Sequence, residues 1–317
     1  MQRLPAFFAA AFSLLSFGGA AFAADPVPLA DGLRGSYPQE WGISSQPSPL
    51  NFEIGMRYWY SLGAQQMSVF GGNYAARDVS HILELQFRID DNSTATYLRG
   101  QIGYSIATTG TYNTPLVAGD QTINGGYIGY AGADFGYMPF GNDNFSFGGF
   151  AGYQYLADNP DMGRVNYITS SGAIESTNNA TEIQALRLGG VVRAQLGDMF
   201  DINLQGAIIP YASLSGTYGA FYQPDFVSGG TNYEQGSPGT IDGRLYGASG
   251  EIMFGLRPAE NLVLRLGARA SYLTGQASMQ YIAREVGTPT NSVSYRADTT
   301  GLDLFRYGAL AEISGRF

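Results

Sequence analysis

The chain has 317 residues, a net charge of -9 and a composition rich in Gly (44), Tyr (22) and Phe (19), with charged residues at 14% against roughly 25% in a soluble domain. The absence of Cys excludes disulfides and thiolate metal sites, and the negative balance argues against nucleic acid as a partner. All 17 basic residues are Arg, the cation preferred where a charge is partly buried and paired.

Arg3, the apolar stretch Phe7 to Ala20 and the small-x-small triplet Ala21-Phe22-Ala23 predict a signal peptide over 1–23, with Ala24 opening the mature chain. After Ala24 no run of about 18 apolar residues remains, so a helical membrane span is not expected. Residues 24–49 hold Pro26, Pro28, Pro38, Pro47 and Pro49 without alternation, and read as an irregular periplasmic segment. From residue 50 to 317 the apolar period is two throughout.

The first strand, Asn51 to Leu62, sets Phe52, Ile54, Met56, Tyr58 and Tyr60 against Glu53, Arg57 and Trp59. The second, about Asp78 to Asp90, sets Leu83, Leu85, Phe87 and Ile89 against Glu84, Gln86 and Arg88; the third, Thr94 to Thr108, sets Leu98, Ile102, Tyr104 and Ile106 against Arg99 and Gln101. The fourth (about Ile123 to Met138) and fifth (Asn144 to Ala157) are Gly/Tyr/Phe-rich, and their phase stays open. Thr181 to Leu196 then opposes Leu186, Leu188 and Val192 to Arg187, Arg193 and Gln195, and Phe200 to Leu214 opposes Ile202, Leu204 and Ile208 to Asp201, Asn203 and Gln205. Asp242 to Leu256 opposes Ile252 and Phe254 to Ser249 and Glu251; Asn261 to Gly275 opposes Leu262, Leu264 and Leu266 to Arg265 and Arg269. The last strand, Leu302 to Phe317, opposes Phe305, Tyr307, Ile313 and Phe317 to Arg306, Glu312 and Arg316.

Short turns at Asp90–Ser93, Phe140–Asp143, Gly197–Met199 and Arg257–Glu260 alternate with long polar stretches at Gly63–Arg77, Gly110–Thr122, Asp158–Ala180, Ser215–Ile241 and Gln276–Gly301. Short periplasmic turns and long outer loops are the asymmetry of outer-membrane barrels. The expected fold is therefore all-β: an antiparallel transmembrane β-barrel of about ten strands in the bacterial outer membrane, with loops at the cell surface. A soluble β-sandwich also alternates, but its solvent face would carry Lys, and here Tyr and Phe gather near strand ends as interfacial girdles would.

Alternation then places Glu53, Arg57, Glu84, Arg88, Arg99, Asp134, Arg187, Arg193, Asp201, Glu251, Arg265, Arg269, Arg306 and Glu312 in the lumen. Eight strands leave an interior just filled by side chains, whereas an open aqueous channel takes about 16. A ten-stranded lumen holding these residues is expected to be a net of Arg–carboxylate pairs with bound water.

Ten strands, five long outer loops and an Arg/Glu interior resemble the omptin-like barrels and related outer-membrane proteins of proteobacteria. The stretches Phe145–Tyr155 and Ile54–Ser61 look like strands of such barrels, and the closing strand ending in Phe317 resembles the signal read by the barrel-insertion machinery. Omptins are proteases that activate a water between an Asp–His pair and a facing Asp pair at the outer rim. Here the matching outer loop offers Asp225 and Glu234 without a histidine, so that catalytic set does not carry over. The single histidine, His81, stands three residues after Asp78; a carboxylate orienting an imidazole would be one use of the pair, and an interfacial histidine beside a loop carboxylate is the plainer one.

No enzyme activity, metal or cofactor is expected. The expected role is structural or surface-binding through the outer loops, with outer-membrane lipid, lipopolysaccharide and the insertion machinery as partners. A narrow porin-like channel for small solutes is the alternative, and an omptin-like hydrolase the second.

Overall fold

A computed structural model describes residues 50–317 except 116, 124, 143 and 164; the expected signal peptide (1–23) and the segment 24–49 lie outside the described residues. Ten long strands follow one another: β1 (Leu50–Val69), β2 (Gly72–Asp91), β3 (Thr96–Thr114), β4 (Gly125–Asn142), β5 (Phe145–Asp161), β6 (Ala180–Leu196), β7 (Phe200–Tyr218), β8 (Gly239–Ala259), β9 (Leu262–Glu285) and β10 (Gly301–Arg316). Each pairs antiparallel with the next, and β10 pairs with β1, so the sheet closes on itself and the membrane-type barrel has no free edge along its pairing ring. Phe317 completes the closure: its N–H donates to the Phe52 carbonyl and its carbonyl accepts from the Phe52 N–H.

The strands are longer than the sequence pattern indicates. They run from 16 residues in β10 to 24 in β9, whereas a tilted strand crosses a bilayer in about 9–11. The predicted long loops are largely β-structure. The stretch 63–77 contains only a two-residue turn, Phe70-Gly71, with both residues at positive φ (50° and 76°), the left-handed pair that matches strand twist in a tight hairpin. The other four fold as continuations of the long strands or as small hairpins, including Val117–Thr122 on β3, Phe226–Ser228 with Thr231–Gln235, and Thr288–Asp298 on β9.

The reason is an exchange of faces within single strands. In β1 the lower half points Phe52, Ile54, Met56, Tyr58 and Tyr60 outward and buries Glu53, Arg57 and Ser61; the upper half buries Met67 and Val69 and turns Gln66 outward. In β9, Leu264, Leu266 and Tyr272 face out below and Arg265 faces in, while above Leu273, Ala277, Met279 and Tyr281 are buried and Gln276 and Gln280 are exposed. The lower outward face is an exposed apolar belt of the kind that faces hydrocarbon, and the upper outward face is of the kind that faces water. Register is unbroken across the exchange: β1 and β2 pair continuously from Leu50 with Asp91 to Val69 with Gly72.

The buried upper residues form one apolar core inside the tall end, among them Tyr74, Phe221, Leu245, Met279, Tyr281 and Leu302. β7 carries a bulge, between Ile209 and Ala212 against β8 and between Ile208 and Tyr211 against β6. Pro210 lies within it, where its missing N–H removes no ladder bond. The phase left open for residues 123–157 is settled as even numbers inward: Ile128, Tyr130 and Asp134 on β4, Phe150 and Asp158 on β5.

Candidate functional site: an arginine–carboxylate lumen

Because side chains alternate across a strand, one inward charge fixes the side of every second neighbour. All fourteen residues assigned to the lumen point inward and are buried or half-buried. They come together in three groups.

Near the short-turn end, Arg265 reaches Glu53, Asp201 (3.2 Å) and Glu312 (2.5 Å). Arg316 also donates to Glu53 (2.8 Å), and Arg257 to Asp201 (3.2 Å). At the same end, on the strand beside Glu53, Arg88 donates to Asp90 (2.7 Å), lies 3.7 Å over the Tyr97 ring, and shares Asp90 with Arg193 (3.3 Å).

At mid-barrel, Arg57 from β1 reaches Glu312, Glu84 (3.1 Å) and Glu251 (3.3 Å). Arg269 joins Glu84 (2.7 Å) and Glu251 (2.6 Å), and Arg99 joins Glu251 (2.8 Å) and Gln205. Gln205 hands on to Asp134 (3.0 Å), which accepts from Arg187 (3.0 Å). The Tyr130 hydroxyl donates to Glu84 (2.6 Å). A chain of contacts thus runs from Glu53 on β1 across the lumen to Arg187 on β6.

Above this net stands the third group. Arg306 lies between Asp78 (2.9 Å) and Asp158 (2.7 Å) and donates to the Ser61 hydroxyl (3.1 Å). A Cβ at Gly63 would collide with both Asp78 and Arg306, so only glycine leaves room for this pair.

Such geometry satisfies buried charge. Each of these guanidiniums meets a carboxylate, and an uncompensated charge here would be costly. What the arrangement supplies chemically is rigidity and a fixed field. The carboxylates of the net are held by arginines, and among the described residues no group of three or more His, Asp or Glu could hold a metal ion.

The alternative placed on Asp78 and His81 is not formed. They sit three residues apart on β2 and therefore on opposite faces: Asp78 points inward to Arg306, while His81 faces the belt, its Nδ1 2.5 Å from the Tyr58 hydroxyl and its ring 5.6 Å from that of Tyr60. Asp225 and Glu234 do lie near each other in the hairpin of the tall end, where partial burial and then the charge of Asp225 raise the Glu234 carboxyl above its usual range.

Sequence reasoning missed Asp78, Asp90 and Asp158 as lumenal partners, having given them to the rim, a turn and a loop. The signal was parity: Asp90 continues the two-residue spacing of Glu84, Gln86 and Arg88, and Asp78 begins it. Gln205 and Tyr130 were polar-face or unassigned residues whose bridging role only the fold reveals.

No family model matches the sequence, and no curated protein matches it. Among solved structures, the outer membrane protease OmpT from Escherichia coli matches with a TM-score of 0.53 at 9% identity, covering 84% of this chain and 96% of that one. The translocator domain of the autotransporter NalP from Neisseria meningitidis matches at 11% identity over 87% and 91% of the two chains, with a TM-score of 0.36. The β-domain of the Bordetella autotransporter BrkA matches at 13% identity over 84% and 98%, with a TM-score of 0.33. At such identities the likeness concerns the fold, and only the first overlay is close enough to bear on it. Closed antiparallel ring, apolar belt and tall strand extensions together make this chain an outer-membrane β-barrel whose fold resembles that of the omptins.

Proposed function

We propose that this protein is a non-conducting barrel of the bacterial outer membrane, with a largely filled lumen and a structural or surface-binding role carried by its tall end. The supporting observation is the change of inward side chains along the barrel: a paired arginine–carboxylate net across the belt, then an apolar core beyond it. A cavity of about 60 Å³ lies between them and one of about 40 Å³ within the net, room for a few waters each. In this reading the belt contacts lipid and lipopolysaccharide, the extended strands project from the cell surface, and the insertion machinery reads the closing strand through Phe317. No hydrolytic role is proposed, since the one histidine faces the belt, away from Asp78. Purified protein reconstituted in planar bilayers should show no stable conductance steps; a steady ohmic current would overturn the reading.

One observation favours the narrow channel as the second reading. Cavities follow one another along the lumen and share walls: Arg99, Gln205 and Glu251 border the lower two, Asp158, Ile183 and Leu304 the upper two. Rotation of those side chains would join them, and the same bilayer recording separates the two readings.

A further inference from the structure

The middle cavity, about 60 Å³, is walled by two kinds of surface. Its lining includes the guanidiniums of Arg99, Arg187, Arg269 and Arg306, with Asp158 and Glu251 as the lining carboxylates, and the aliphatic side chains of Leu156, Ile183, Ile209, Leu273 and Leu304. The remaining carboxylate partners of these arginines, Asp134, Glu84 and Asp78, do not line it. Three of its lining residues also carry buried polar atoms with no hydrogen-bond partner: Trp59 Nε1, Arg187 Nε and Ser249 Oγ. Trp59 and Arg187 are only 4% and 8% exposed, so bulk water does not serve them.

An indole N–H and a guanidinium Nε–H can donate and never accept. Whatever meets them must be an acceptor, and buried donors left unmet are costly. Water could accept but would lie against five aliphatic side chains, and a halide would leave them without contact. We propose that this chamber binds a small organic anion, a carboxylate carrying a short aliphatic chain. The carboxylate oxygens accept from the orphaned donors and face the guanidiniums, while the chain packs on the leucines and isoleucines. The volume agrees: a water needs about 10–15 Å³ of such space, so the chamber holds a handful of non-hydrogen atoms, the size of butyrate. This site is distinct from the surface role proposed above and does not depend on whether the lumen conducts.

The chain has two tryptophans, Trp41 and Trp59, so a Trp41→Phe background makes Trp59 the sole indole and a reporter inside the site. The full-length mature protein, refolded into detergent in the presence of sodium butyrate, should show a saturable change in Trp59 emission, half-complete on the order of 1–10 mM. Sodium chloride at equal ionic strength should not reproduce it. Arg187→Lys, which keeps a cation beside Asp134 but loses Nε–H, and Ser249→Ala, which removes an unpartnered hydroxyl, should each raise the half-saturation point about five-fold. Heat-modifiable migration on gels shows that each variant is folded. An emission unmoved by butyrate up to about 100 mM would leave water as the only occupant and overturn the proposal. An equal response to chloride, or variants that bind as the parent does, would overturn it as well.

Discussion

Arg306 is clamped between two carboxylates, Asp78 at 2.9 Å and Asp158 at 2.7 Å, so that pairing with Asp78 is one half of a shared interaction. Asymmetry between the partners follows. Asp78→Asn still leaves Arg306 matched one to one with Asp158 and should cost little, about 1 kcal/mol. Arg306→Met strands two buried carboxylates and should cost at least roughly 3–5 kcal/mol. Urea unfolding of the reconstituted protein reads the difference; equal losses would mean the third group is not dry enough for charge to matter.

Glu251 receives Arg57, Arg99 and Arg269, but only Arg99 has no other carboxylate. Glu251→Ala should therefore destabilise by roughly 3–5 kcal/mol, with most of the loss traceable to Arg99. Adding Arg99→Met should recover a large part of it, and a double-mutant cycle measures the coupling. Simple additivity of the two changes would contradict this assignment.

Phe317 is 78% exposed at the short-turn end, and its backbone exchanges two hydrogen bonds with Phe52. Phe317→Ala, which keeps both backbone hydrogen bonds, should lower the amount of folded barrel assembled in cells while leaving refolding from urea in detergent nearly unchanged, because the side chain buries little. Refolding that fails to the same degree as cellular assembly would locate the defect in barrel closure, not in recognition.

In the core of the tall end, Phe221 is 1% exposed and packs against Phe70, Tyr74 and Tyr281 at ring distances of 5.1–6.3 Å. Phe221→Ala should cost about 3–5 kcal/mol within that core. Limited proteolysis should then cut the tall end while the belt segment survives as a protected fragment. Cleavage spread evenly through the chain would show that the two halves of each strand unfold together.

Much of the barrel was legible from period alone. A clean alternation such as Leu83-Glu84-Leu85-Gln86-Phe87-Arg88 gives strand and facing at once, and inward arginines could be named before any contact was known. What stayed hidden has a physical cause. A stretch such as Gln276–Tyr281 also alternates, but with the faces reversed, so its apolar residues belong to an interior and its polar ones to water. Judged by the rule that holds in the belt, it looks like loop. Partners for the charges were illegible for a different reason: Arg306 meets Asp158, 148 residues away in the chain, and only closure of the ring brings them level.

The reversal of faces also sets how deep the barrel can ride. Sinking it by two residues, about 5 Å given the rise and tilt of such strands, would push Gln66, Gln276 and their neighbours into hydrocarbon, each polar side chain at a cost. Raising it equally would lift Tyr60 and Tyr272 out into water, against the pull of apolar burial. Tyr60 and Tyr272 mark the waterline, and the pattern of a single strand acts as a draught mark that fixes the vessel's trim without any anchor.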